Sequence, residues 1–293
     1  MHIPAMQQEV IDYLKPKTGA VFIDGTLGMG GHARAILERI GLQGRLIGFD
    51  KDKQALEHAR RNLSQFEAQC DFVYGDFRKI DEILEHLGVE AVDGILLDLG
   101  ISSFQIDDPE RGFSIRHDGP LDMRMDQNNP ISAFDLVNGL SEKEIDLILK
   151  EYGEERWHHA IAGYLVRERT RKPIETTQEL SQAVLKAVAR RRGRERIHPA
   201  TRTFQAFRIA VNRELESLEI ILNKCLPLLK EGGRMGVISF HSLEDRIVKR
   251  TFRQWAKEHQ VDLIVKKPLR PTEEEIEKNP RARSARLRVI ERV

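Results

Sequence analysis

The reading of the fold turns on Val21-Phe22-Ile23-Asp24-Gly25-Thr26-Leu27-Gly28-Met29-Gly30-Gly31-His32. A short apolar run ends on an acid, four glycines fall within the next seven positions, and Ala33-Arg34-Ala35-Ile36-Leu37 continues with helical character. The pattern predicts strand, tight turn and helix. Glycines let such a turn bring bare backbone against a ligand, and the helix beyond it presents unpaired N–H groups. Gly28-Met29-Gly30-Gly31-His32-Ala33 fits the dinucleotide pattern G-x-G-x-x-A. Asp24 speaks against that cofactor, because a carboxylate at the strand end faces the place a pyrophosphate would take, and like charges repel in a partly dry crevice. S-adenosylmethionine carries an ammonium and a sulfonium, which the same acid would attract. The bland alternative is that Asp24 only caps the turn.

Downstream segments repeat the theme. Arg45 to Asp50 reads as a second strand ending on an acid about 20 residues past the glycines, the spacing at which a carboxylate takes a ribose hydroxyl pair. Cys70 to Tyr74 is a third strand, followed by Phe77, an aromatic that either stacks on an adenine or simply packs. Val92 to Asp98 is a fourth, again closing on an acid. Strands alternating with amphipathic helices predict a parallel sheet that delivers Asp24, Asp50 and Asp98 to one edge. From Asp107 to about Thr201 the alternation stops and helices with capping boxes take over, at Ser141-Glu142-Lys143-Glu144 and Thr176-Thr177-Gln178-Glu179. Thr203 to Lys224 reads as one long helix. A fifth strand at Arg234 to Phe240, a sixth near Leu263 to Val265 and a last at Leu287 to Ile290 resume the sheet, with a polar arm from Arg270 to Arg286 between the last two.

Over 293 residues the net charge is only +1, but it is unevenly placed. Residues 1–150 hold 16 Lys and Arg against 26 Asp and Glu, whereas residues 160–213 hold 13 against 4. Arg190, Arg191, Arg192, Arg194 and Arg196 form the densest cluster; they suit either solvent or a polyanion such as RNA. No apolar run has membrane-spanning length and the start lacks a signal-peptide core, so a cytoplasmic protein is expected. Cys70 and Cys225 are too few for a disulfide framework and read as core, which leaves no nucleophile for carbon-5 methylation of a pyrimidine. His32, His117 and His241 form no ligand pattern, and paired His158-His159 reads as the surface of a charged helix, so no metal is expected.

Methyl transfer from a sulfonium depends mainly on aligning the acceptor. An exocyclic amine is a poor nucleophile while its lone pair is delocalised, and a carboxylate accepting its N–H localises that pair and later takes a proton. Asp98 is a candidate for this work, and equally for orienting the cofactor. Together with Asp24-Gly25-Thr26 and the glycine turn, the blocks Leu97-Asp98-Leu99-Gly100-Ile101-Ser102-Ser103, Arg111-Gly112-Phe113-Ser114, Pro120-Leu121-Asp122-Met123-Arg124-Met125-Asp126, His198-Pro199-Ala200-Thr201-Arg202-Thr203-Phe204-Gln205-Ala206 and Ser239-Phe240-His241-Ser242-Leu243-Glu244-Asp245 stand in order along the chain. Through them the sequence resembles the bacterial 16S ribosomal RNA cytosine-N4 methyltransferases over nearly its whole length.

The resemblance implies an α/β fold, a Rossmann-like class I methyltransferase sheet with an inserted all-helical domain. The methyltransferase domain would take 1–106 and 202–293, and the basic, RNA-binding insertion 107–201. It implies S-adenosylmethionine contacts at Gly30, Gly31, His32, Asp50, Phe77, Asp98 and Gln105, beside Asp24, and methylation of a cytosine N4 in the decoding region of the small subunit. Phe104 departs from the proline usual in the family, and Asp98-Leu99-Gly100-Ile101 keeps only the acid of the Asp-Pro-Pro-Tyr type of motif. Two rival readings are an NAD-dependent dehydrogenase, disfavoured by Asp24, and a non-catalytic RNA-binding assembly factor, disfavoured by the intact acid set.

Overall fold

The computed structural model describes residues 4–189 and 197–293. The chain divides into two compact units, Met1–Gly100 with Leu215–Val293, and Ile101–Glu214. In chain order the first unit runs α1 (Gln7–Leu14), β1 (Val21–Asp24), α2 (Gly31–Ile40), β2 (Arg45–Asp50), α3 (Lys53–Asn62), β3 (Cys70–Tyr74), α4 (Ile80–His86) and β4 (Val92–Asp98). The second contributes α5 (Ser103–Asp107), α6 (Ala133–Gly139), α7 (Glu142–Gly153), α8 (His158–Arg169), α9 (Thr177–Val188) and α10 (Thr201–Asn212). The chain then returns through α11 (Glu214–Leu228), β5 (Leu229–Ser239), α12 (Ser242–Lys257), β6 (Val261–Leu263), α13 (Glu273–Lys278) and β7 (Arg286–Arg292).

One seven-stranded sheet has the order β3-β2-β1-β4-β5-β7-β6. β1 to β5 pair in parallel, and β7 runs antiparallel to both β5 and β6. This is the Rossmann-like α/β sheet expected from the sequence. The order reverses between β1 and β4, and ligands of open parallel sheets bind beyond the strand ends at such a switch point. Asp24 and Asp98 are the last residues of those two strands, and Asp50 ends the next one.

Both faces of the sheet are covered, so alternate residues go to different cores. Phe22, Leu46, Leu96, Ile238, Leu287 and Val289 pack with α1 and α2. Ile23, Ile47, Ile95, Leu97, Val237 and Ile290 pack on the opposite face with side chains of α4, α11 and α12. The second unit has its own core, where Ile145, Leu149, Ile161, Leu165, Leu180 and Val184 meet Phe204, Phe207 and Val211.

That last group moves the domain boundary. α10 packs on α7 within the second unit, so the division falls after Gly100 and Glu214 rather than at 107 and 201. The single helix read from Thr203 to Lys224 is two helices, parted at Arg213, whose φ of 49° is left-handed. β6 ends at Leu263, where the sequence reading starts it.

Candidate active site

The glycine turn is built as its sequence requires. Gly28 and Gly30 have φ of 52° and 81°, a conformation that costs an L side chain about 1–2 kcal/mol. Leu27 N–H donates to the Phe49 carbonyl, and Gly30 N–H to the Leu27 carbonyl, each at 2.8 Å. Gly30 serves as N-cap of α2, and its lack of a side chain leaves the first amides of that helix without a cap from that position. A Cβ on Gly25 would strike the Phe77 ring at 2.7 Å, which is why glycine follows Asp24.

Three carboxylates surround this turn. Asp50 accepts N–H groups from Gly28 and Asp52, both at 2.8 Å, so the end of β2 braces the turn. Asp24 is 1% exposed and accepts Thr26 N–H at 3.1 Å. Thr26 in turn accepts the Asp98 N–H through its hydroxyl at 2.6 Å, tying the turn to β4. Burial pushes Asp24 up to about 7; His32 pulls against this, while Asp98 and Asp50 add to it. Burial likewise pushes Asp50 up to about 6 against its two backbone donors.

His32 is buried in the first turn of α2, with Nε2 3.5 Å from Asp98 Oδ2. Burial alone would lower its pKa, but Asp98 and then Asp24 overcome it and hold the imidazole above its ordinary value. Both ring nitrogens and Asp98 Oδ1 are shielded from solvent and lack a hydrogen-bond partner among the described residues. Buried polar atoms left in this state carry a cost of about 1–3 kcal/mol each, which a ligand with matching groups would relieve.

The remaining sequence candidates divide. Phe77 is buried, its ring edge-on to Phe49 at 4.9 Å between centroids, so it floors the turn from inside the core. Gly31 begins α2, and a Cβ there would meet Pro4 at 2.7 Å. Gln105 belongs to the second unit, where its amide oxygen accepts Ser102 N–H in the capping box of α5. The cluster Arg190, Arg191, Arg192, Arg194 and Arg196 lies outside the described residues. Thr26 stood in a motif block without a role of its own, and Glu275 went unnoticed in the sequence. Glu275, on α13, accepts Met6 N–H at 2.6 Å and its charge reaches His32.

Several motif blocks serve architecture instead. Arg111, 1% exposed, donates to the carbonyls of Arg124 and Met125, and a Cβ on Gly112 would lie 2.2 Å from the Pro120 carbonyl. Asn212 closes the same loop through the Met125 N–H and the Met123 carbonyl. His241 and Glu244 form the capping box of α12, and Asp245 binds Arg286 and Arg288.

A single family description, the MraW methylase family, matches residues 1–293. The chain belongs to the MraW methylase family. Relatives named ribosomal RNA small subunit methyltransferase H are 50% identical in Geobacter sp. strain M21 and 47% identical in Halothermothrix orenii. Each alignment covers 100% of this chain and 98% of the relative. The sequence resemblance is thereby upheld along the whole chain, and membership of a methylase family removes the dehydrogenase alternative. No helix among the described residues is long and apolar enough to cross a membrane.

Proposed function

We propose that the chain transfers a methyl group from S-adenosylmethionine to the exocyclic N4 of a cytosine in 16S ribosomal RNA, in the decoding region of the small subunit. The observation that carries this reading is Asp98: a strand-end carboxylate at the switch point, with a shielded oxygen that has no hydrogen-bond partner among the described residues. The uncapped start of α2 and the Asp24–Asp50–Asp98 set fit a cationic cofactor with a ribose. When bound, S-adenosylmethionine supplies an electrophilic methyl group on a sulfonium.

The side chains then divide the work. Asp50, fixed by two backbone N–H groups, has lone pairs left for a ribose diol. Asp24 offsets positive charge at the turn. Gly30, Gly31 and His32 hold the α2 amides and imidazole against the cofactor, with Phe77 beneath. Asp98 accepts the N–H of the acceptor amine, localises its lone pair and takes the proton as the amine is methylated. A cysteine route is out of reach: Cys225 is fully buried with its thiol pushed up, and burial pushes Cys70 up to about 12.

The name and identity of the relatives support ribosomal RNA as substrate. The arginine surplus in residues 160–213 supports a phosphate-binding insertion, and the reaction would then occur in the cytoplasm, on RNA within the small subunit. Asp98→Asn tests the chemistry. The single-turnover methylation rate should fall about 100-fold or more, while cofactor affinity changes far less. Equal losses in both would make Asp98 a cofactor ligand only, and mass spectrometry showing any product other than N4-methylcytosine would overturn the acceptor.

A further inference from the structure

His158 and His159 stand side by side at the start of α8, and sequence reasoning placed both on an exposed charged face. The structure corrects this for His158, whose side chain is only 18% exposed. Both imidazoles converge on one residue of the neighbouring helix. Asp146, in α7, has Oδ1 2.6 Å from His158 Nδ1 and 2.8 Å from His159 Nδ1. The two rings lie 4.2 Å apart between centroids. One carboxylate oxygen and two imidazole nitrogens therefore occupy a single cluster, with all three within 4.8 Å of one another.

We propose that Asp146, His158 and His159 form a transition-metal site on the inserted domain, taking Zn2+ or a similar borderline cation. Two neutral imidazoles and one carboxylate are a donor set suited to Zn2+, Co2+ or Ni2+, and poorly suited to Mg2+ or Ca2+, which require mostly oxygen. Bonds of about 2.0–2.1 Å would set neighbouring donors about 3.3 Å apart, so the Asp146 oxygen and the two ring nitrogens need part by only about 0.5–0.7 Å. His159 is 82% exposed, which leaves one side of the cluster to water as a further ligand.

The first turn of α8 opposes a cation through its partial positive charge, so binding rests on coordination rather than on electrostatic attraction. This separates the site from an acidic patch, which would hold any divalent ion. Because Asp146 comes from α7 and the histidines from α8, an ion here fastens two helices of the insertion together. Binding only to the folded state would raise its stability.

The test uses untagged full-length protein, stripped with a chelator and titrated calorimetrically with ZnCl2 in excess Mg2+. Wild type should bind one equivalent, and its melting midpoint should rise with Zn2+. His159→Ala alters an exposed side chain and should fold normally, yet bind Zn2+ about tenfold or more weakly and lose the stabilisation. Co2+ should give visible ligand-field bands in wild type that His159→Ala and Asp146→Ala both lose. Absence of Zn2+ binding in wild type, or wild-type affinity and stoichiometry in His159→Ala, would overturn the site. None of these readouts depends on methyl transfer.

Discussion

Asp24 is a buried acid whose place in the fold weighs on stability. Its carboxyl is pushed to about 7 by burial, so the folded chain holds a proton there that the unfolded chain, near 3.8, has already released. Stability contributed by this site is therefore present at low pH and lost as pH rises from about 4 to about 7. Above that window the ionised, buried acid costs up to about 4 kcal/mol. Asp24→Asn should accordingly raise the melting temperature of the cofactor-free protein at pH 8 and have little effect on it at pH 4, measured by calorimetry. The same acid should make cofactor binding pH-dependent. A cation is best received by ionised Asp24 and Asp50, the latter near 6, so affinity for S-adenosylmethionine should strengthen between about pH 6 and pH 8. A flat profile would show that neither charge is felt. Asp50→Ala should weaken cofactor binding about tenfold or more, since a charge-assisted hydrogen bond contributes about 1.5–3 kcal/mol, and RNA affinity should barely move.

At the scale of elements, the turn from β1 into α2 is where sequence and structure agree most closely, because glycine placement there leaves few conformations. Gly30→Ala should cost about 1–2 kcal/mol from its left-handed φ alone, and its Cβ would also meet the Leu63 side chain at 2.9 Å. Denaturant melts and cofactor titration of the variant should both show the loss. The strand-end acids were legible for a related reason: each closes an apolar run, and parallel topology sends those ends to one side. The break between α10 and α11 was not legible. Phe204, Phe207, Val211, Leu215, Leu218 and Leu222 keep helical spacing straight through Arg213. What ends α10 is a tertiary choice, in which Asn212 bonds to the Met123 and Met125 backbone. Glu275 was hidden by the same kind of distance, since no local pattern links α13 to a histidine at the start of α2. The blocks around Arg111 and His241 stood out in the sequence without declaring that their work is to shape a loop and cap a helix.

At the scale of the whole molecule, each unit buries its own apolar residues, so the positive surplus of residues 160–213 is not required by the insertion's core. That surplus either meets solvent or meets phosphate. If RNA is the partner, each neutralised phosphate releases counterions and affinity falls with salt, by a log–log slope of roughly −0.7 per contact on single strands. The acceptor cytosine must also leave its stack, which demands that flanking backbone be held elsewhere on the protein. Replacing Arg190, Arg191 and Arg192 together with Ala should leave the melting temperature and cofactor affinity unchanged, weaken RNA binding and flatten the salt slope. Wild-type methylation across a salt series would instead assign the cluster to solvent. The structure narrows where RNA contact would then be sought. Arg286 is already engaged by Asp245 at 2.9 Å, so the exposed Arg250 and Arg253 of α12 and Arg283 of the C-terminal arm become the residues to replace next.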